Sequence, residues 1–244
     1  MSVSGRIYRA LCEALPRPGD VVALDETERH HLMRVRRLAV GATVEVLDGI
    51  GGVGRATFDG TDLVLDAISQ KPPLPAVEVA VAIPRGDRFD FLVEKCTELG
   101  VSAIHPLSTE RGVSRPQGKG KRVERWRRIA VSALKQSGQP HLPRISPPVS
   151  VEECLQETAI ENLLIADPGS DSVALSVVLG RLSAPVLLFI GPEGGFTIAE
   201  GDRIRAASAT AVHLGPAVLR VETAAILGTG LLLAGLGALE RGMR

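Results

Sequence analysis

The sequence is poor in aromatic residues, with one tryptophan, one tyrosine and five phenylalanines among 244 residues. Aliphatic side chains must therefore fill the core, and a chain of this length can bury a large one. Cysteine is also scarce, and Cys12, Cys96 and Cys154 are odd in number and far apart. They form no CxxC pair and no metal-binding spacing, so they indicate reduced thiols rather than a disulfide framework. We therefore expect a cytoplasmic protein.

No long hydrophobic run of the kind found in membrane proteins is present. The longest uncharged apolar stretch, Thr223 to Leu239, is shorter than the roughly 20 residues of a membrane-spanning helix. The N-terminus lacks the uninterrupted apolar segment of a signal peptide. We expect a buried helix over this stretch, with a subunit interface as its alternative location, and no membrane partner.

Several common enzyme signatures are absent. There is no GxSxG nucleophile elbow and no HExxH zinc motif, and the five histidines lack the spacing of a metal set. A literal GxGxxG occurs at Gly49–Gly54, but strand-like residues follow it where a dinucleotide-binding motif opens a helix. These glycines therefore predict a hairpin loop, and the sequence predicts no metal site.

The net charge is zero at pH 7, yet the charges are segregated along the chain. Residues 111–144 hold ten lysines and arginines against one acidic residue, whereas residues 145–205 hold three basic residues against nine acidic ones. A basic block within a neutral protein is typical of a surface that binds a polyanion. A solvated helix face is the alternative. We favour nucleic acid, because so few acidic residues compensate the block.

The first seventy or so residues read as short strands, at residues 20–24, 42–47, 54–58 and 62–68, around one helix, which favours a compact β-barrel module. Asp25 can cap that helix, and Glu28 completes the pattern of a capping box. The helix is predicted to continue to Leu38. It carries four candidates for contacts with phosphate groups, with an ordinary polar helix face as the alternative: His30, Arg34, Arg36 and Arg37.

A proline cluster at residues 71–75 separates this region from one in which strands and helices alternate. We predict a domain boundary there, giving domains 1–73 and 74–244. Strands are predicted at residues 77–83, 186–190 and 211–214, among others, and an amphipathic helix is predicted at residues 88–99, stopped by Gly100. Alternation of strands and helices predicts a mostly parallel sheet covered on both faces, and hence an α/β domain.

Two Gly-Pro turns, Gly191–Pro192 and Gly215–Pro216, each follow a short apolar run. Each reads as a buried strand that runs into a sharp loop, and ligands bind in α/β proteins where such strands end. Glycine lets backbone groups approach a ligand closely. The turns therefore predict two walls of one pocket, with Glu193 as a polar acceptor. They also suit strand-to-helix turns, the first with Thr197 as the helix cap, and the two interpretations are compatible.

Six motifs recur in order along nearly the whole chain: His30-His-Leu-Met-Arg-Val-Arg-Arg-Leu, Arg85-Gly-Asp-Arg, Glu94-Lys-Cys-Thr-Glu-Leu-Gly-Val, Gln136-Ser-Gly, Ile190-Gly-Pro-Glu-Gly-Gly and Leu214-Gly-Pro-Ala-Val-Leu-Arg-Val-Glu-Thr-Ala. Together they resemble the RsmE-type 16S rRNA uridine N3-methyltransferases of the SPOUT superfamily. The resemblance implies a PUA-like N-terminal β-barrel that helps to hold RNA. It also implies a C-terminal α/β methyltransferase domain with a trefoil knot, working as a homodimer on the small ribosomal subunit.

The same resemblance implies that S-adenosylmethionine sits between the two Gly-Pro loops, where a third strand end completes the site. The implied cofactor contacts are Ala166, Ile190, Gly191, Pro192, Glu193, Gly194, Leu214, Gly215, Leu219, Arg220 and Thr223. Three positions depart from the family pattern, namely Gln139, Ala217 and Val221, so the positioning of RNA near the second loop depends more on Arg220.

The implied reaction is methylation of N3 of a uridine in 16S rRNA. The N3 proton must leave, and the negative charge on the flanking carbonyls must be stabilised. Arg220 is the candidate for the second task, and Glu193 is the candidate for orienting cofactor or base. A non-catalytic RNA-binding or ribosome-assembly factor and a knotted methyltransferase acting on another base or on ribose 2′-OH are the alternatives. The RNA-binding candidates are His30, Arg34, Arg36, Arg37, Arg111, Arg115, Lys119, Lys121 and Arg122.

Overall fold

The computed structural model describes residues 7–30, 32, 38–112, 119–169 and 171–238, apart from the side chain of Lys119. The chain divides into two compact units, Met1–Pro73 with Val131–Leu142 and Leu74–Ala130 with Pro143–Arg244. The first division, after Pro73, lies in the proline cluster where a boundary is predicted. The predicted domains differ from these units in one stretch, Val131–Leu142, which groups with the N-terminal residues.

The first unit contains a four-stranded sheet in the order β1-β2-β3-β4. Strand β1 runs parallel to β2, and the other pairs are antiparallel. The sequence predicts the last three strands but misses β1, which is only four residues long. It also predicts a strand at residues 20–24, where the structure has a single bridge between Val21 and Val64. The strands are β1 Tyr8–Leu11, β2 Thr43–Leu47, β3 Gly52–Phe58 and β4 Leu63–Gln70.

The GxGxxG segment forms the hairpin turn between β2 and β3, as predicted. The Oδ1 atom of Asp48 accepts hydrogen bonds from the backbone amides of Ile50, at 2.9 Å, and Gly52, at 2.8 Å. Gly49 and Gly51 have φ angles of 75° and 106°, in the left-handed region that favours glycine. These glycines therefore form a turn, and the segment that follows them is strand β3 rather than the helix of a dinucleotide-binding motif.

Helix α1 (Glu26–His30) begins at the predicted cap, since Asp25 Oδ1 accepts from the amide of Glu28 at 2.8 Å. The carboxylate of Glu28 is buried and forms an ion pair with Lys135. The guanidinium of Arg9 donates to the carbonyls of Lys135, at 3.1 Å, and Gln136, at 2.8 Å. These contacts explain why Val131–Leu142 belong to the first unit. The sequence shows only one continuous helix here, so its division between two units could not be predicted. Residues 31 and 33–37 of the predicted helix lie outside the described residues.

The second unit contains a seven-stranded, wholly parallel sheet in the order β7-β6-β5-β10-β8-β11-β9. Every residue of the central strand β10 is buried, as expected for an uninterrupted apolar run covered on both faces. The predicted parallel sheet is confirmed. Its strands are β5 Val77–Ala82, β6 Ala103–Leu107, β7 Arg144–Ile145, β8 Asn162–Ala166, β9 Val173–Ala174, β10 Val186–Ile190 and β11 Thr210–His213.

The helices of this region are α2 Arg88–Leu99, α3 Lys119–Ser137, α4 Val151–Glu157, α5 Leu175–Leu179, α6 Ile198–Ala206 and α7 Val221–Gly235. Helices α2 and α7 pack together, with α7 against β5 and β10, while α4 and α6 pack against each other. Helix α2 ends at Gly100, as predicted, where φ is 92°. Helix α4 was not predicted, although its Ser150–Glu153 capping box marks the start. No helix among the described residues is long and apolar enough to span a bilayer.

Glycines of α7 pack within the chain. A Cβ on Gly228 would come within 2.5 Å of Leu188 Cδ2, and one on Gly235 within 2.8 Å of Leu179 Cδ2. Glycine at these two positions therefore allows the apolar helix to lie close to side chains of its own unit. The predicted buried helix is confirmed, although it ends at Gly235, before the predicted Leu239, which lies outside the described residues.

Candidate active site

A cavity of about 540 Å³ lies at the carboxyl ends of β8, β10 and β11, which are neighbours in the sheet. This is the edge at which ligands bind in α/β folds, and the volume lies within the usual range for small-molecule sites. Both Gly-Pro loops contribute to the lining. Nine of the eleven predicted cofactor residues line the cavity: Ala166, Ile190, Gly191, Pro192, Glu193, Gly194, Leu214, Gly215 and Leu219.

The other two predicted cofactor residues, Arg220 and Thr223, are exposed and do not belong to the lining. Val221 and Ala224, in the same turn of α7, do line the cavity. An α-helix turns about 100° per residue, so residues 221 and 224 share one face while 220 and 223 share the next. The structure therefore places Arg220 and Thr223 beside the cavity rather than on its wall.

The first Gly-Pro loop is shaped by close backbone contacts. A Cβ on Gly191 would lie 3.1 Å from the amide nitrogen of Phe196, so only glycine fits there without displacement. The amide of Gly195 donates to the carbonyl of Pro192 at 2.8 Å, which closes a tight turn. Thr197 then caps α6 through a full capping box with Glu200. The loop is thus both a pocket wall and a helix start, as the two compatible interpretations expected.

Arg111 holds this loop from outside. Its Nη1 atom donates to the carbonyls of Gly194, at 2.9 Å, and Phe196, at 3.3 Å. The preceding amide, of Glu110, donates to Glu200 Oε1 at 2.9 Å. The role of Arg111 as an RNA contact stays a prediction, and the structure places its guanidinium on the loop and in the cavity lining. Sequence separation hid this contact, because Arg111 and Gly194 are 83 residues apart.

Glu193 is paired rather than free. Its Oε1 atom accepts from Arg88 Nη1 at 3.2 Å, and Arg88 Nε lies 4.0 Å from Oε1 of Glu222. Glu222 is only 8% exposed, and its Oε2 atom has no hydrogen-bond partner among the described residues. Arg88 was missed as a site residue, although it ends the Arg85-Gly-Asp-Arg motif, which could have identified it.

The second Gly-Pro loop is more open. Gly215 has a φ angle of 152°, and a Cβ there would meet nothing within 4 Å, so the cavity wall is bare backbone at this point. Ala217 and Val218 line the mouth of the cavity, and Val218 is 82% exposed.

The rim of the cavity also carries charged residues that the sequence analysis did not single out. Asp167 Oδ2 accepts from Arg205 Nη2 at 2.7 Å, and Asp202 lies one turn before Arg205 on α6. Asp167 directly follows β8, so its position after a buried parallel strand was an available signal. Nothing in the local sequence of α6 indicated that Arg205 lines the cavity.

The basic block is partly neutralised by other elements. Arg125 forms ion pairs with Asp87 and Asp90, and Arg144 pairs with Glu78 at 3.1 Å. Lys121 and Arg122 are exposed on α3 and form no ion pair with described residues, and His30 is exposed at the end of α1. Four RNA-binding candidates (Arg34, Arg36, Arg37 and Arg115) and the side chain of Lys119 lie outside what is described.

The three cysteines do not carry reactive thiols. Burial raises the pKa of the thiols of Cys96 and Cys154 to about 12 and that of Cys12 to about 11. All three cysteines are unpaired, as expected, and their thiols stay protonated at neutral pH. A hydrogen bond from His105 lowers the pKa of Glu78. Glu78 lies near the amino end of β5, whereas the cavity lies at the carboxyl ends of the strands. No group of described residues has the arrangement of a metal site.

Comparison with known proteins links this chain to one family. An RNA methyltransferase domain model matches residues 70–233, and an RNA methyltransferase PUA domain model matches residues 24–61. The chain is 35% identical over 212 residues to ribosomal RNA small subunit methyltransferase E of Synechocystis, covering 83% of this chain and 69% of the relative. It is 30% identical over 230 residues to the protein of the same name from Mycobacterium bovis, covering 89% and 88%.

A solved structure supports the same relationship. The ribosomal RNA small subunit methyltransferase E of Neisseria gonorrhoeae bound to S-adenosyl methionine matches with a TM-score of 0.84 and 28% identity. The match covers 94% of this chain and 98% of that one. Both predicted domains, one PUA-like and one of the methyltransferase α/β type, are thereby confirmed as fold classes, while the trefoil knot stays a prediction.

Proposed function

Because the chain belongs to the family of ribosomal RNA small subunit methyltransferase E, we propose that it methylates N3 of a uridine in small-subunit rRNA, in the cytoplasm, with S-adenosylmethionine as donor. The observation that carries the proposal is the cavity at three neighbouring strand ends, walled by both Gly-Pro loops. Exposed basic side chains on α3 supply a surface for the RNA.

The residues of the cavity fit the proposed donor. Its walls combine apolar side chains, such as Ile190 and Leu219, with bare backbone at Gly191 and Gly215. Backbone donors and acceptors next to apolar surface suit a flat, polar-edged adenine ring. Bound S-adenosylmethionine supplies an electrophilic methyl group on a sulfonium. We propose that the nine lining residues hold the cofactor, with Arg220 and Thr223 adding contacts from the adjacent face of α7.

Arg220 is the residue we propose to act on the uridine. It is exposed beside the cavity, and its guanidinium forms no hydrogen bond or ion pair with described residues. A free guanidinium can stabilise the negative charge that develops on a uracil carbonyl as the N3 proton leaves. Because N3 lies on the pairing edge of the base, the uridine must be unpaired or turned outward to reach the cavity.

Glu193 is proposed to orient the bound groups. Arg88 holds one of its oxygens, so the carboxylate is fixed at the cavity wall, and its other oxygen is left to accept from a ligand. A fixed acceptor of this kind suits orientation better than proton transfer, which needs the group to exchange protons freely.

We propose that Lys121 and Arg122 contact RNA phosphates, because they are the predicted candidates on α3 that are exposed and unpaired among described residues. Binding should weaken steeply as salt rises, and replacing both by alanine should reduce the slope of log affinity against log salt by about 2. Filter binding across a salt series measures this. Arg181→Ala, which removes an exposed arginine elsewhere, is the control. An unaltered slope in the double variant would show that Lys121 and Arg122 of α3 do not contact RNA phosphates.

We further propose that the chain works as a homodimer through the packed pair α2 and α7. These helices expose the apolar side chains Phe91, 49% exposed, and Leu227, 38% exposed. Leu227→Glu should convert the dimer into the 25.8 kDa monomer in sedimentation equilibrium, because an unpaired charge resists burial. Val40→Glu, at an exposed apolar position of the other unit, should leave the dimer intact. A monomeric unaltered chain would contradict the proposal.

The function is tested by incubating the chain with S-adenosylmethionine and small ribosomal subunits that lack the modification. Mapping the methylated nucleotide should locate one uridine carrying the group on N3. Methyl transfer to another base or to a ribose 2′-OH would replace the proposed target. Binding of RNA without any methyl transfer would favour a non-catalytic assembly factor.

A further inference from the structure

Charged side chains of both signs stand together at one end of the cavity, and the proposed reaction does not use them. Asp167 follows β8, Asp202 and Arg205 lie on α6, and all three line the cavity. Arg205 Nη2 lies 2.7 Å from Asp167 Oδ2, and Arg205 Nη1 lies 3.7 Å from Asp202 Oδ1. The three side chains are 46%, 29% and 68% exposed, in the order Arg205, Asp167, Asp202, so they face solvent at the rim.

The backbone of α6 makes room for this arrangement. Residues 202 and 205 are one turn apart, so their side chains lie on one face of the helix. Gly201 also lines the cavity, and a Cβ there would lie 2.9 Å from Arg205 Nη1. The missing Cβ lets the guanidinium lie back across the helix towards the cavity instead of extending into solvent.

The other charged side chains described on the cavity wall, Arg111 and Glu193, already have contacts at the first Gly-Pro loop. Arg111 donates to the carbonyls of Gly194 and Phe196, which fixes the first Gly-Pro loop. Glu193 is paired with Arg88. The group of Asp167, Asp202 and Arg205 still offers donors and acceptors of both signs, because the short contact to Asp167 occupies one of the five N–H donors of Arg205. Among the described residues Asp202 has only the 3.7 Å ion pair with Arg205, whereas Asp167 also accepts from the amide of Gly169 at 2.9 Å through Oδ1, so Asp202 has the freer carboxylate.

We propose that Asp167, Asp202 and Arg205 form a subsite for the α-amino-acid end of the methyl donor. This inference rests on the proposed function, which makes S-adenosylmethionine the ligand of the cavity. Arg205 binds the α-carboxylate through its unused N–H groups, and the carboxylates of Asp202 and Asp167 bind the α-ammonium. A zwitterion presents one group of each sign a short distance apart, which this rim matches. The apolar, glycine-rich part of the cavity is left for the adenosine.

Isothermal calorimetry with two ligands separates this subsite from the rest of the cavity. S-adenosylhomocysteine carries the amino-acid end, whereas 5′-methylthioadenosine keeps the nucleoside and lacks that end. Arg205→Ala should weaken binding of S-adenosylhomocysteine by at least about tenfold, the effect of losing a charge-assisted contact, and leave 5′-methylthioadenosine binding unchanged. Asp202→Asn removes a carboxylate that is 68% exposed, so it should keep the fold and show the same selectivity.

Arg203→Ala is the matched control, because Arg203 is an exposed arginine of the same helix outside the cavity lining. It should leave both affinities unaltered. Equal losses for the two ligands in Arg205→Ala and Asp202→Asn would overturn the subsite and assign these residues to the cavity wall in general. Unaltered binding of S-adenosylhomocysteine would overturn it as well. Binding of neither ligand by the unaltered chain would overturn the proposed function itself, and the subsite with it.

Discussion

Arg220→Ala is expected to lower the rate of methyl transfer by about 10²- to 10³-fold, the usual loss when one donor to a developing oxyanion is removed. Cofactor affinity should fall much less than the rate, because Arg220 lies beside the cavity and adds only a peripheral contact to the cofactor. The fold should also persist, since the side chain of Arg220 makes no capping hydrogen bond at the start of α7. Single-turnover methylation of small subunits, with calorimetry on the same preparations, measures both quantities.

Arg220→Lys provides a graded comparison. A lysine keeps the positive charge but loses the planar fork of donors, so we expect an intermediate rate. Arg203→Ala should transfer methyl groups at the unaltered rate, because Arg203 is exposed away from the cavity. Undiminished turnover in Arg220→Ala would exclude the arginine from the reaction. A matching loss of cofactor affinity would assign it to cofactor binding instead.

Glu200→Ala is expected to lower the free energy of unfolding by about 3 kcal/mol, because it removes several hydrogen bonds and leaves partly buried donors unpaired. Glu200 is 5% exposed. Its Oε2 accepts from the amide of Thr197 at 2.8 Å, and its Oε1 accepts from the amide of Glu110 at 2.9 Å. The first Gly-Pro loop ends at Thr197, so affinity for S-adenosylhomocysteine should fall as well. Denaturant unfolding and calorimetry measure the two effects.

The chain contains its own control for this variant. Helix α4 begins with a capping box of the same type, in which Glu153 Oε2 accepts from the amide of Ser150 at 2.7 Å on the exposed surface. Glu153→Ala should cost only about 1 kcal/mol and leave ligand affinity unaltered. If both variants lost the same stability, the hydrogen bond from the amide of Glu110 to Glu200 would not contribute to the stability of the loop.

Local sequence patterns predicted most of the second unit. The runs that became β5, β10 and β11 were recognisable because strands buried on both faces are continuously apolar. Helix α2 was predicted with its bounds, since its apolar spacing ends at a glycine that adopts a left-handed conformation. The short elements β7, β9 and α4 were missed, because two to seven residues carry too little periodicity.

Predictions about individual charged side chains were less complete. The basic block was visible as composition, but the pairing of Arg125 with Asp87 and of Arg144 with Glu78 depends on strands and helices distant in sequence. Arg111 shows the same limit most clearly, because a residue predicted to contact RNA lies against the first Gly-Pro loop. Counting charges along a chain cannot reveal which carbonyl or carboxylate folds against each of them.

The sequence by itself determined the α/β character of the second unit, the site of the pocket and the residues of its backbone walls. It could do so because apolar runs followed by Gly-Pro turns express backbone requirements that are local in the chain. Only the tertiary structure decided which side chains share that pocket. The sheet order β5-β10-β8-β11 made the ends of these four strands neighbours, and this brought Asp167 to Arg205 and Glu193 to Arg88. Such pairings depend on strand order and helix rotation, which no local pattern encodes.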